Sequence, residues 1–172
     1  MGVRLYLKRN WAIVRSCLIF AGCILAFVLI CSWLLPGDVV RHLVNSTAAA
    51  TSFILNLFGA SVHADGSLVT SPGFSMSIIF ECTAVIPIVI FLSAVLAYPC
   101  TIKQKAVGMA LGIIALYAID LIRMTSLFFI GTHFSSRWFD VAHFFIWQPM
   151  MILIAIVLWL FWVEKLVRVP ST

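Results

Sequence analysis

The chain has 172 residues, of which 63% are hydrophobic and only 10% charged, with a formal net charge of +5 and a mean hydropathy of +1.15. Soluble domains carry about 25% charged residues, so this composition excludes a water-facing surface and makes lipid the solvent. The basic residues sit at the ends of apolar runs instead of forming one patch, which speaks for membrane topology and against nucleic-acid binding.

Met1–Arg15 carries Arg4, Lys8, Arg9 and Arg15, and an uncharged run, Ser16–Leu35, follows. The run has full span length, and Trp33, Leu34, Leu35 and Pro36 stand at its exit in place of a small-x-small cleavage site. It reads as an uncleaved first membrane helix and not as a signal peptide.

Gly37–Gly73 is mixed. Asp38 is placed to cap a helix bearing Val39, Val40, Leu43 and Val44 and later Phe53, Ile54, Leu57 and Phe58. Its middle, Asn45–Ser52, is too polar for a lipid span, so one or two helices lying on the outer interface are expected. Ser61–Val69 reads as a short hairpin about Asp65-Gly66, ended by Pro72-Gly73. The whole region is expected to cover the site described below.

A second span is expected over Ile78–Tyr98, broken by Pro87, followed by a loop from Pro99 to Lys105 that holds Lys103 and Lys105. The third runs from Ala106 to about Ile130, a polar loop covers Gly131–Asp140, and the fourth runs from Val141 to about Trp162. This topology puts Arg4, Lys8, Arg9, Arg15, Lys103, Lys105, Lys165 and Arg168 inside and only Arg41 and Arg137 outside, the bias of a chain with both ends in the cytoplasm. Trp33, Trp138 and Trp147 fall near the outer interface and Trp11 and Trp162 near the inner one, as an aromatic belt would. The fold class is therefore all-α integral membrane, with about four transmembrane helices, N-in and C-in, and a small outer-surface region of interfacial helix and β-hairpin. It is read as a single membrane domain, 1–172, divided into a first span with its basic N-terminus (1–35), the outer-surface region (36–77) and the remaining helices (78–172).

A charge inside a span costs about 2.5–3.5 kcal/mol on insertion scales and marks a functional candidate. Arg123 lies roughly 25 Å along its helix from Ala106, in the outer half, and Asp120 shares its face and can pair with it. Cys82 begins the second span and His143 the fourth, so topology brings Cys82, Arg123 and His143 to similar depth. A thiolate is a strong nucleophile, histidine can take the thiol proton and return it to a leaving amine, and an always-charged arginine can stabilise an oxyanion. The set suits acyl transfer from a peptide through a thioester. His133 competes with His143 for the histidine role, Cys31 is placed to pair with Cys82, and Asp120 with Arg123 can equally be glue between helices. A non-catalytic component of an assembly or export system is the alternative. The five cysteines, Cys17, Cys23, Cys31, Cys82 and Cys100, include no CxxC pair and no Cys/His set with zinc spacing, so no metal or other cofactor is expected.

Glu81-Cys82-Thr83-Ala84 at an outer helix start resembles the nucleophile motif of the exosortase/archaeosortase family, Asp120-Leu121-Ile122-Arg123 resembles its Asn-x-x-Arg motif, and Asp140-Val141-Ala142-His143 is similar to its closing histidine motif. The resemblance covers roughly residues 60 to 165. It implies a membrane-embedded cysteine transpeptidase or protease in the cell (cytoplasmic or inner) membrane, with its site facing outside. Cys82 would be the nucleophile, Arg123 the transition-state stabiliser and His143 the acid/base, with Glu81, Thr83 and Asp120 supporting. The implied partners are exported proteins whose C-terminal tail joins a short motif, a transmembrane helix and a basic cluster, together with a surface acceptor and the bilayer. Two positions depart from the family pattern. Ala84 stands where Gly is usual, and Asp120 replaces Asn, adding a negative charge that either holds the guanidinium or blunts its help to an oxyanion.

Overall fold

The computed structural model describes residues 11–33, 36–134 and 136–167. The charges Arg4, Lys8, Arg9 and Arg168 and the exit residues Leu34 and Leu35 lie outside the described residues. Among the described residues, three helical stretches are long and apolar enough to cross a membrane: Ile13–Cys31 with 19 residues, Ile102–His133 with 32 and Arg137–Val167 with 31. The described residues are mostly helical, with one small sheet.

Helix α1, Trp11–Trp33, covers the first apolar run. Helix α2 is a single element, Gly37–Leu57, and its cap is not Asp38: Pro36 occupies the cap position, while Asp38 pairs with Arg41 in the first turn. Its buried residues, Val44, Thr47, Ala48, Thr51, Ser52 and Leu55, recur at the spacing of one helical face. The polar middle is thus the packed face, small enough for close approach, whereas Phe53, Leu57 and Phe58 point outward. The helix ends in a Schellman turn. Gly59 takes a positive φ of 82°, and the amides of Gly59 and Ala60 bond to the carbonyls of Asn56 and Leu55 at 3.0 Å each.

Strand β1, His63–Asp65, pairs antiparallel with β2, Leu68–Ser71, across a two-residue Gly66-Ser67 loop. Pro72-Gly73 does not end the hairpin as its composition suggested. Proline presets the first turn position and Gly73, at φ 97°, supplies the second, so the chain turns again into β3, Phe74–Ser77. Partners Val69 and Met76 both face the core.

The second apolar segment also differs from expectation. Ile78–Thr83 is not α-helical: Phe80–Cys82 form a 3₁₀ turn, and helix α3 starts only at Val85 and runs to Ala97. Pro87 does not break this helix. It lies in the first turn, where a missing N–H goes unnoticed. Thirteen residues rise about 20 Å, short of the roughly 30 Å of a hydrocarbon core.

Helix α4, Ile102–His133, begins four residues before the expected start, at a capping box in which the Thr101 side chain accepts from the Gln104 amide and the Gln104 side chain accepts from the Thr101 amide. Lys103 and Lys105 therefore sit in its first turn, and the Lys105 ammonium donates to the Leu96 carbonyl at 2.6 Å. The expected loop over Gly131–Asp140 is largely helical too, with α4 reaching His133 and α5 spanning Ser136–Asp140. A π-helical segment, Val141–Trp147, leads into α6, Gln148–Trp162. Pro149 has no N–H for the carbonyl four residues back, which loosens the α register just where the wider turn forms.

Two cores result. One gathers Val44, Ala48, Leu55, Val69, Met76 and Ile78 from α2 and the sheet with Cys82, Met124, Leu127, Phe128 and Ala142. The other, toward the opposite end, holds Phe91, Val95, Leu116, Ala155, Trp162 and Val163. Glycines on α4 seat rings from its neighbours. A Cβ at Gly112 would fall 2.0 Å from the Phe91 ring, and one at Gly108 would fall 2.2 Å from Trp162. Small residues that admit such close approach are a common way for helices to associate in lipid.

Candidate active site

The 3₁₀ turn before α3 holds Cys82 inward. Its amide bonds to the Ile79 carbonyl at 2.9 Å, and Thr83 closes the turn by donating both its amide, at 3.0 Å, and its hydroxyl, at 2.6 Å, to the Phe80 carbonyl. Ala84 has φ −65° and ψ −1°, a conformation open to any L-residue, so glycine is not required there. Glu81 points to solvent. Of the three motif neighbours, Thr83 shapes the turn, Asp120 reaches the site and Glu81 does not.

The π-helical segment delivers His143. Its Nε2 lies 3.2 Å from the Cys82 Sγ and 3.3 Å from Nη2 of Arg123. Arg123 reaches it from the C-terminal half of α4, held by a 3.3 Å bond from its Nη1 to Oδ1 of Asp120 one turn earlier. Cys82, Arg123 and His143 are all buried, and Asp120 is wholly so. Two polar atoms, Nε of Arg123 and Oδ2 of Asp120, are buried with no hydrogen-bond partner among the described residues. The negative charge that departs from the family pattern thus takes one arm of the guanidinium and leaves the other facing the histidine.

Which atom carries which proton follows from the geometry. Arginine has donors only, so Nη2 can bond to Nε2 only when that nitrogen is bare. The resting imidazole is then neutral, protonated at Nδ1, with Nε2 receiving the arginine and facing the thiol. Burial pushes the Cys82 thiol above its ordinary value, and the Ile79 backbone and the Arg123 guanidinium draw it back down. A neutral thiol beside a neutral imidazole is the consistent resting pair.

Aromatic rings fix the imidazole. Phe139 stacks on it with centroids 6.0 Å apart and planes 6° from parallel, and Phe144 meets it edge-on at 4.7 Å. Phe139 also packs on Phe74 of β3 at 5.9 Å, and Phe74 rests on Gly131, where a Cβ would come within 2.1 Å of the ring. Nothing in the residue types singled out Phe139, Phe74 or Gly131 beforehand. Their placement depends on a strand folding back over the end of α4.

The competing candidates lie elsewhere. His133 is exposed, with its Nδ1 near the Thr132 hydroxyl at 2.9 Å and the Phe129 carbonyl at 3.0 Å. Cys31 and Cys82 are both free, so the pairing considered between them is not made.

Fold and site together define a helical membrane protein that gathers a cysteine, a histidine and an arginine beneath a cap of one helix and a small sheet. The sequence matches the family model for transmembrane exosortases (Exosortase_EpsH) over residues 5–163, and the chain belongs to that family. No curated protein and no solved structure matches it.

Proposed function

We propose that this exosortase-family chain is a cysteine transpeptidase or protease that cleaves the C-terminal sorting tails of exported proteins. The observation that carries the proposal is the convergence of the Cys82 Sγ and Arg123 Nη2 on the single atom Nε2 of His143. In this reading the chain makes four passes of the cytoplasmic (inner) membrane, the second by the short α3 together with the residues that flank it, with both ends inside and the capped site facing out. That orientation rests on the inside bias of the basic residues.

In the first step the Cys82 sulfur attacks the scissile carbonyl carbon while its proton moves to Nε2 of His143. Once Nε2 is protonated it no longer accepts from Nη2 of Arg123. The guanidinium donor is therefore released at the moment negative charge builds on the carbonyl oxygen, and it turns to that oxygen. Asp120 holds the other arm of the guanidinium, so the motion is a redirection of one N–H and not a loss of position. Collapse breaks the C–N bond, His143 returns the proton to the departing amine, and a thioester remains on Cys82. An amine of a surface acceptor, or water, then attacks the thioester, again with His143 taking the incoming proton, and Cys82 leaves as the thiol.

Co-expression with a tail-bearing protein tests this. Wild type should shorten the substrate, and Cys82→Ala should accumulate it at full length with equal enzyme abundance. Equal processing by both forms would remove Cys82 from the chemistry.

A further inference from the structure

The turn that holds Cys82 uses up the polar hydrogens nearest to its sulfur. The Cys82 amide bonds to the Ile79 carbonyl, and both the amide and the hydroxyl of Thr83 go to the Phe80 carbonyl. The Ala84 amide is turned to the Asp120 carboxylate. A nucleophile's own amide often helps to hold the oxyanion of acyl transfer, and such an oxyanion is commonly held by more than one donor. Here that amide is spent inside the turn, so a donor to join Nη2 of Arg123 has to come from another side chain.

Thr51 of the cap helix α2 has a hydroxyl to give. It is wholly buried, and its Oγ1 has no hydrogen-bond partner among the described residues. A threonine inside a helix can settle its hydroxyl on the carbonyl four residues back. Thr47 does so on Leu43 at 2.9 Å and Thr125 on Leu121 at 2.8 Å. Thr51 makes no such bond to Thr47, so its hydroxyl is turned away from its own backbone. Helical spacing puts it on one face with Ala48 and Leu55, which pack in the core that contains Cys82 and Met124, the residue after Arg123. Helix α2 itself lies against both the Phe80–Cys82 turn and α4. A valine would fill the same space without burying an unpaired polar group, which is destabilising. Cys82, Arg123 and His143 are buried as well, so a carbonyl that reaches the thiol enters this same core. We infer that the Thr51 hydroxyl is a second donor to the oxyanion of the tetrahedral intermediate, delivered from α2 while Arg123 delivers the first from α4. The inference rests on the reading of Cys82 as the nucleophile.

Two small electrophiles test it on the full chain purified in detergent. With p-nitrophenyl acetate the Cys82 sulfur attacks the ester carbonyl, the thiol proton passes to His143, an oxyanion forms and collapses, p-nitrophenolate leaves and the acetyl group stays on sulfur as a thioester. Iodoacetamide alkylates the same sulfur by displacing iodide from a saturated carbon, with no oxyanion. Thr51→Val should slow acetylation of Cys82 by about 10²-fold, the lower end of the loss for one oxyanion donor, and leave alkylation at the wild-type rate. Its melting temperature should equal or exceed that of wild type, because an orphaned hydroxyl has been removed. Thr51→Ser, which keeps the hydroxyl, should acetylate within a few-fold of wild type. Wild-type acetylation by Thr51→Val, or an equal fall in acetylation and alkylation, would overturn the inference and leave Cys82 as the nucleophile. Wild type that releases p-nitrophenolate no faster than Cys82→Ala would overturn the nucleophile reading, and the inference with it.

Discussion

The Nη2 of Arg123 lies 3.3 Å from Nε2 of His143, so a permanently charged donor holds the lone pair that takes the Cys82 proton in the proposed mechanism. Arginine does this while its other arm, Nη1, is bonded to Asp120. Lysine has one charged nitrogen and cannot span both partners. Arg123→Lys should therefore lower processing by about 10²–10³-fold, the loss typical of an oxyanion donor, while membrane abundance stays near wild type because the charge balance with Asp120 is kept. Quantifying substrate mass and enzyme level together checks this, and wild-type processing by Arg123→Lys would show that the guanidinium fork is dispensable.

The Asp120 carboxylate uses Oδ1 for Arg123, and its Oδ2 is buried with no hydrogen-bond partner among the described residues. Asparagine preserves the accepting oxygen and removes the charge. Asp120→Asn should retain processing within about tenfold, whereas Asp120→Ala leaves the buried guanidinium without its partner and should lower abundance, since breaking a buried pair costs about 3–5 kcal/mol. Pulse-chase levels of the two variants separate these outcomes. Equal loss of abundance in both would mean that the charge itself, and not the hydrogen bond, holds Arg123.

A pH dependence follows from the burial of Cys82. Its thiol is pushed above the ordinary value chiefly by desolvation, with Arg123 pulling in the opposite direction. The group is neutral below its raised value, and the reactive thiolate appears only as pH climbs through it. Iodoacetamide labelling of Cys82, followed by peptide mapping, should rise with a midpoint above that of free cysteine in the same buffer. Arg123→Gln removes a cause that lowers the value, so its midpoint should move higher still. A wild-type midpoint below that of free cysteine would point to a preformed thiolate–imidazolium pair and would contradict the neutral resting state.

The sequence was a better guide to which candidate residues share a depth than to how they come into contact. Alternating spans bring the start of one helix, the far half of the next and the start of the last to one depth, which is why Cys82, Arg123 and His143 were recognisable together. Depth says nothing about rotation, and the 3.2 Å contact between Cys82 and His143 depends on a 3₁₀ turn and a π-helical segment, neither of which has a composition signal of its own. Pro87 misled because the same residue that breaks a helix interior is well placed in a first turn. The face of α2 misled in the other direction. Thr47, Ala48, Thr51 and Ser52 are polar or small, which suggested water, yet their size lets α2 pack on the core that holds Cys82. Pro72-Gly73 has the chemistry of a type II turn, but only the strand beyond it tells a turn from an ending.

Phe139 connects this cap to the chemistry. Its ring lies parallel to the His143 imidazole at 6.0 Å and edge-on to Phe74 of β3 at 5.9 Å, and Phe74 in turn fills the notch at Gly131. The ring touches none of the atoms that react in the proposed mechanism, so its part there is that of a positioning residue that limits the tilt of the imidazole. Misplacement of a catalytic group by about 1 Å can cost about 10²-fold in rate. Phe139→Leu keeps apolar volume but no flat face, and it should slow turnover by about ten- to a hundredfold at unchanged abundance, with Phe139→Tyr restoring most of the rate. Gly131→Ala acts one step earlier. Its Cβ would collide with the Phe74 ring, so it should displace Phe74 and reproduce part of the Phe139→Leu defect, with a stability loss of about 1–3 kcal/mol from overpacking. Measured turnover of a tail-bearing substrate at matched enzyme levels decides the matter. A Phe139→Leu enzyme as fast as wild type would reduce the stack to ordinary packing, and a defect that Phe139→Tyr failed to rescue would mean that the aromatic face is not what holds His143.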